Sequence, residues 1–255
     1  MKQCFIIAGA NGEIGRGFVE KILPKHTVIA ISKQHASQIH HPNLISVVVD
    51  LTKPEEVEKA FSGFDPTQYD QITFIHSIGI DKFENKQFPK IEPLETIDPV
   101  VYASNVNTYK YLARFLIKKI EAARKIKLVT LKFVMIGSIA DKYGLLVMTS
   151  FTESKNIIRS SIRDAIATRS WISGLIINIS STITTSAMKV RPYADTTYWL
   201  TPKDIVDGSL LRVLSNEVGY QEIDLFKHDP MFHETFYTDD QIVFDRWKKY
   251  VHGAR

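Results

Sequence analysis

The 255-residue chain has a single cysteine, Cys4, so no disulfide can form within it. Disulfide frameworks belong to oxidising compartments, and their exclusion points to a reducing one. Cys4 lies inside an apolar run and reads as a buried strand residue rather than a nucleophile. No apolar stretch approaches the roughly 18 residues that a membrane-spanning helix needs. The N-terminus shows no charged lead, long apolar segment or small-residue cleavage site, so no secretory signal is expected. These exclusions make a cytoplasmic location the expectation, with no membrane partner. Lys and Arg are scattered, with no basic run beyond pairs, and the net charge is only +4. That argues against a nucleic-acid partner. The eight histidines, among them His40, His41, His228 and His233, make no pair at metal-binding spacing with acidic or cysteine neighbours. No metal is expected. Repeats, low-complexity segments and linkers are absent too.

What is present is a composition of 44% hydrophobic and 24% charged residues, enough to bury a large core. Residues 1–255 read as one α/β domain, a common size for that class. Short continuous apolar runs predict strands at Cys4–Ala8, His26–Ile31, Leu44–Val49, Gln71–His76, Leu131–Ile136, Trp171–Ile179 and Tyr220–Phe226. Amphipathic helices are predicted between them. Pro54 opens one that runs to about Phe61, Asp98-Pro99 a long one to about Arg124, and Pro202 one to about Leu214. Another covers Ser150–Thr168. Lys82–Ile97 has no steady period and reads as a loop. Ser180–Leu200 reads as irregular, a substrate loop of about 180–200. Strands alternating with helices imply right-handed crossovers and a seven-stranded parallel sheet covered on both faces, a doubly wound three-layer sandwich.

The first strand runs into Gly9, Gly12 and Gly15, and a helix follows. Gly9 suits a tight turn, Gly12 a close backbone approach to phosphate, and Gly15 close helix–strand packing. The helix N-terminus would then face a dinucleotide pyrophosphate. The bland reading of the same glycines is a tight strand–helix turn. At the end of the second strand stands Ser32-Lys33-Gln34 rather than an acid. A hydroxyl and an ammonium suit a 2′-phosphate, with Arg16 near, and favour NADP over NAD; the alternative is a solvated lysine. Asp50-Leu51 ends the third strand, where the carboxylate meets an adenine amino group or simply caps the turn before Thr52 and Pro54.

Taken together these pieces resemble the short-chain dehydrogenase/reductase superfamily, a Rossmann-like fold, over about residues 3–226. Gly9-Ala10-Asn11-Gly12-Glu13-Ile14-Gly15 is similar to its cofactor loop, and Asp50-Leu51 to its adenine-side pair. The resemblance puts Ser77 and Gly79 at the cofactor, in a turn where the family has Asn-Ala-Gly and only Gly79 is kept. It equates Asn107, in Asn-Val-Asn, with the helix asparagine that supports a proton-relay water. Ser138 matches the serine that bonds the substrate oxygen, and Lys155 the lysine that contacts the nicotinamide ribose. Thirteen residues after Ser138 the family has its catalytic tyrosine, and this chain has Phe151.

In the family mechanism that tyrosine gives its phenolic proton to the carbonyl as hydride arrives. Phenylalanine has none to give. Three readings follow. Another donor acts, with Tyr143, five residues after Ser138, as the candidate ahead of Thr149, Ser150 or a lysine-bound water. Alternatively the protein is a catalytically silent dinucleotide binder, a sensor or oligomer partner. Or it runs a reaction that needs no tyrosine. The first gives the expectation: an NADP-dependent oxidoreductase on a small carbonyl or alcohol, as a homo-oligomer, dimer or tetramer. Arg191, in the substrate loop, reads as a carboxylate or phosphate ligand or as a surface arginine. The extension of about 227–255 carries Phe232, Phe236, Tyr237, Phe244, Trp247 and Tyr250. So many rings need a partner: the domain itself, a second subunit, or the substrate pocket as a lid.

Overall fold

The strand β1 (Gln3–Ala8) is buried at all six positions and has parallel neighbours on both sides. Such a strand must be apolar on both faces, which is why its sequence is a continuous run and not an alternation. The structure is a computed structural model and describes residues 1–84, 96–227 and 237–253. Most of the expected loop Lys82–Ile97 and the tail residues His228, Phe232, His233 and Phe236 lie outside the described residues.

The other strands are β2 (Thr27–Ser32), β3 (Leu44–Val48), β4 (Gln71–His76), β5 (Thr130–Ser138), β6 (Ile172–Ile179) and β7 (Tyr220–Leu225). All seven form one parallel sheet in the order β3-β2-β1-β4-β5-β6-β7. This is the predicted Rossmann-like α/β sandwich. The chain winds outward from β1 through β2 to β3, then starts again at β4 on the other side. Between the C-terminal ends of β1 and β4 the connections diverge, and that crevice is where such sheets bind ligands.

Helices cover both faces. On one, α2 (Pro54–Ala60), α4 (Thr108–Ala123) and α6 (Thr149–Thr168) bury Val57, Leu112, Leu116, Ile158 and Ile162 over Ile6, Phe74 and Phe133. On the other, α1 (Glu13–Ile22) and α8 (Pro202–Leu214) bury Phe18, Val19, Ile205 and Val206 over Phe5, Ile7, Val134 and Ile177. Each such side chain contributes about 1.5–3 kcal/mol on burial. Thr201 and Asp204 form a reciprocal capping box at the start of α8, with Pro202 in its first turn.

Two predictions need correction. The long helix from Asp98 is not continuous: α3 (Pro99–Tyr102) passes through a π-helical turn, Ala103–Asn107, into α4. Within the supposedly irregular Ser180–Leu200 lies α7 (Thr185–Val190), capped by the Thr184 side chain. A run of Ser and Thr hides such a helix, because these residues serve caps and turns as readily as helices. Two further helices build the site, α5 (Ile139–Tyr143) after β5 and α9 (Asp240–His252) in the tail. Among the described residues no helix is long and apolar enough to cross a membrane.

Candidate active site

Gly9 follows β1 with φ +81, a conformation that glycine adopts without strain. A Cβ on Gly15 would lie 2.2 Å from the Gly9 carbonyl oxygen and 2.7 Å from Ser77 Oγ. Only glycine lets α1 come this close to the loop, and the loop to the turn after β4. Gly12 is the N-cap of α1, and no side chain caps the helix. Its first-turn amides are therefore left for an anion such as a pyrophosphate. Asn11 is used for the loop itself: its Nδ2 donates to His35 O at 2.8 Å. Ile14 and Ser77 line the cavity in front of the loop. Glu13 reaches the segment after β6, where its carboxylate accepts from Thr185 N at 2.9 Å and Thr185 Oγ1 at 3.1 Å. These shapes fit a dinucleotide.

A groove of about 570 Å³ beside the loop is lined by Gly9, Asn11, Gly12, Ser32, Lys33 and Asp50, among others. Ser32 is half-buried and its hydroxyl donates to His35 O. Lys33 Nζ is paired with Asp50 Oδ2 at 2.9 Å. Asp50 Oδ1 accepts from Thr52 N and Oγ1 at 3.0 and 2.7 Å, so this aspartate does hold the turn before Pro54. Burial pushes its carboxyl up, but the bonds from Lys33 and Thr52 outweigh that and hold it at about 2. Leu51, buried beside it, lines the same groove.

The second cavity, about 270 Å³, opens at the ends of β4, β5 and β6 and brings together Gly79, Ser138, Phe151 and Lys155. Ser138 ends β5 and caps α5: its Oγ accepts from Ala140 N at 3.1 Å, and Asp141 Oδ1 accepts from Ser138 N at 2.6 Å. The cap uses a lone pair of Ser138 and leaves its O–H free to donate. Behind it, Asp141 Oδ2 is paired with the buried Arg159, which also binds Asn178 Oδ1 at 3.0 Å and Glu222 at 2.7 Å. This network fixes the serine. Burial pushes the Asp141 carboxyl up against the pull of Arg159.

Lys155 is 3% exposed. Its Nζ donates to Ile136 O at 3.0 Å and Ile78 O at 3.3 Å, and lies 5.6 Å from the centroid of the Phe151 ring. A Cβ on Gly79 would come within 3.1 Å of Nζ. Burial pulls the ammonium down to about 8, with Asp141 acting weakly the other way. His76 lies below, fully buried, and is kept neutral by that burial and by the charge of Lys155. Its Nε2 sits 2.9 Å from Thr108 Oγ1, whose proton goes to Ser104 O. The ring proton must then be on Nε2, and Nδ1 finds no partner among the described residues.

Two of the predicted catalytic residues, Tyr143 and Asn107, are not brought to this cavity. Tyr143 closes α5, stacked on Tyr237 at 5.9 Å and tilted against Phe226 at 6.4 Å, and it does not line the cavity. Five residues of helix and turn carried it past the mouth. Of the two asparagines in the Asn-Val-Asn run, Asn105 is the buried one. It bridges Ile80 N and O at 2.9 and 3.1 Å and Ser154 Oγ at 2.9 Å. Asn107, half-buried, is not part of that bridge; the π-helical turn shifts which asparagine faces inward. Of the three readings of the tail, the structure shows it packed on the domain at the cavity. Tyr237, Arg246, Trp247 and Tyr250 line the cavity, and Phe83 stacks on Trp247 at 3.8 Å. The density of rings in the tail was the available signal.

A family model described as NAD(P)H-binding matches residues 9–139. No curated protein matches the chain in sequence. Solved structures share its fold. A short chain dehydrogenase from Burkholderia cenocepacia J2315, in complex with NADP, superposes with a TM-score of 0.66 at 16% identity, over 97% of this chain and 99% of that one. A 3-ketoacyl-(acyl-carrier-protein) reductase from Brucella melitensis, complexed with NADH, gives 0.64 at 17% identity, over 88% and 96%. A 4-hydroxyisoleucine dehydrogenase with NADH gives 0.62 at 21% identity, over 88% and 97%. The chain thus belongs to the NAD(P)H-binding family, with the fold of the short-chain dehydrogenases/reductases.

Proposed function

We propose that the protein is an NADP(H)-dependent oxidoreductase that interconverts a small carbonyl compound and its alcohol, with Lys155 in place of a tyrosine as the end of the proton path. The carrying observation is Lys155 itself: a buried ammonium, drawn down to about 8, in one cavity with a serine whose O–H is unspent. When bound, the nicotinamide supplies the hydride. Ser138 donates its O–H to the carbonyl oxygen and holds it as negative charge develops. Lys155 has three N–H donors. Two are fixed on Ile78 O and Ile136 O. The third is left for the cavity, where it reaches the developing alkoxide directly or through a water. A group titrating near the working pH is the best proton donor there. Phe151 keeps the ammonium dry on one side and faces it with its ring.

NADP is favoured over NAD because Ser32 ends β2 with Lys33 directly after it, and Asp50 holds the Lys33 ammonium beside the groove. Lys33→Asp should weaken NADPH binding and reduce its salt sensitivity; equal affinity in both proteins would remove the assignment. The reaction is tested by NADPH oxidation across a panel of aldehydes and ketones. Turnover is expected in the natural protein, lost by about 10²-fold or more in Ser138→Ala and retained in Tyr143→Phe. No turnover in the natural protein, with turnover created by Phe151→Tyr, would overturn the reading.

A further inference from the structure

Two arginines stand near the cavities, Arg159 buried and Arg191 half-buried, and the fold treats them differently. Arg159 is paired with Asp141 and Glu222. Arg191, which caps the C-terminal end of α7, lines the 270 Å³ cavity, and its Nε finds no hydrogen-bond acceptor among the described residues. Its guanidinium lies 4.4 Å from the centroid of Trp199, which is 1% exposed. The indole Nε1 of Trp199 is likewise without an acceptor. Both atoms are donors only. A stacked guanidinium and indole, each with an unspent N–H, ask for an acceptor that no described residue supplies. An N–H buried without an acceptor is costly, and an acceptor brought by a ligand relieves that cost.

The surroundings say which ligand. The charged groups lining the outer part of the cavity are Arg191, Arg246 and Asp81. Asp81 acts on Arg191 through its charge, and Arg246 opposes it from α9, where its Nε donates to Tyr250 OH. A guanidinium whose Nε has no acceptor among the described residues, set in this cavity, suits a carboxylate. Ile139, Leu145, Met148, Val243 and Trp247 make the walls apolar between this rim and Ser138. Trp199 meets Tyr250 edge-on at 5.9 Å, and Tyr193 N donates to Tyr250 O at 3.0 Å, so α9 and the substrate loop fix the arginine from both sides.

We propose that the substrate is a small aldehyde or ketone that also carries a carboxylate, with the carboxylate on Arg191 and the reacting oxygen at Ser138. This rests on the oxidoreductase reading above. In the reduction, the carbonyl carbon gains the hydride and its oxygen the proton, NADPH is oxidised, and the carboxylate is unchanged. Planar guanidinium and planar carboxylate suit each other, and lysine at 191 would give only a point charge.

The test uses the full-length protein saturated with NADP⁺, so that an aldehyde can bind without reacting. Calorimetric titrations compare 4-formylbenzoate and succinic semialdehyde with their methyl esters. At least one acid is expected to bind roughly tenfold tighter than its ester, the effect of one charge-assisted hydrogen bond. Arg191→Met, which keeps the packing on Trp199, should bring that acid to the level of its ester, and Arg191→Lys should keep part of the preference. No acid preference in either pair overturns the proposal, and so does a preference that survives Arg191→Met. If Arg191→Met does not fold, the natural protein and Arg191→Lys decide. Turnover with NADPH separates the two readings. An acid preference in binding without turnover of any aldehyde sinks the oxidoreductase and leaves the carboxylate site standing. Equal turnover of acids and esters sinks the site and leaves the oxidoreductase.

Discussion

Lys132 and Lys155 are both nearly inaccessible, at 1% and 3% exposure, and burial draws both ammoniums down to about 8. They differ in what their protons do. Lys132 points from the middle of β5 to the C-terminal end of α8, where Nζ donates to Arg212 O, Ser215 O and Ser215 Oγ, the last two at 3.1 and 3.2 Å. Three donors meet three acceptors, at a helix end whose carbonyls lack partners and carry partial negative charge. Lys155 has only two backbone acceptors, in the connections after β4 and in β5, and it faces a cavity. A perturbed pKa therefore does not distinguish structure from chemistry here. An unspent donor beside a cavity does.

The largest effect expected from this contrast is kinetic. Lys155→Met should lower turnover of carbonyl substrates by roughly 10² to 10⁴, the usual contribution of a proton donor. Lys132→Met should leave turnover per folded molecule within about threefold, because such a change far from the cavity alters none of the transition-state contacts. Stopped-flow oxidation of NADPH in both variants, with circular dichroism to fix the folded fraction, makes the comparison. Similar losses in the two variants would dissolve the distinction.

Only half of this contrast could be read from the sequence. The strands and their order of winding were legible because each is a continuous apolar run between turn signals, and the glycine loop because its context, strand before and helix after, was complete. Ser138, Phe151 and Lys155 converge as their spacing suggests, since a strand end and the facing helix turn are joined by a short connection. Lys132 sits between Leu131 and Phe133 in one of those runs, an anomaly visible in the sequence, but its partner lies 80 residues away at Arg212. No local pattern carries that. The same holds for Arg191 and Arg246, which meet at the cavity only because α9 folds back over it, and for Asn105 over Asn107, which turns on one π-helical turn. Long-range docking and local helix register are tertiary facts.

The next effect is on stability, and the two variants should move in opposite directions. Removing Lys132 leaves the half-buried Ser215 O without the donor it had, which costs about 1 kcal/mol. Lys155→Met removes a desolvated charge that the fold only partly satisfies. Replacing such a charge by an apolar chain of similar length should stabilise the protein by about 1–2 kcal/mol, function and stability being opposed at this position. Urea midpoints at pH 7 measure both. A destabilised Lys155→Met would mean that its two backbone bonds fully satisfy it, and the proposed proton path would lose its physical basis.

The smallest effect is a slope. In the unfolded chain a lysine holds its proton up to about 10.4, whereas both buried lysines give theirs up at about 8. Above that pH the unfolded state binds more protons than the folded one, so stability rises with pH, by at most ~1.4 kcal/mol per unit for each lysine. From about pH 9 upward the Cys4 thiol offsets part of this rise. Burial holds that thiol protonated to about 12 in the fold, so its ionisation in the unfolded chain acts in the opposite direction. Between pH 8 and 9 the natural protein should therefore gain about 1 kcal/mol by urea denaturation. Each single Met variant should keep about half of that gain, and the double variant none. A slope carried by one lysine alone would show that the other is neutralised by its surroundings, and would reassign which of the two is poised to release a proton.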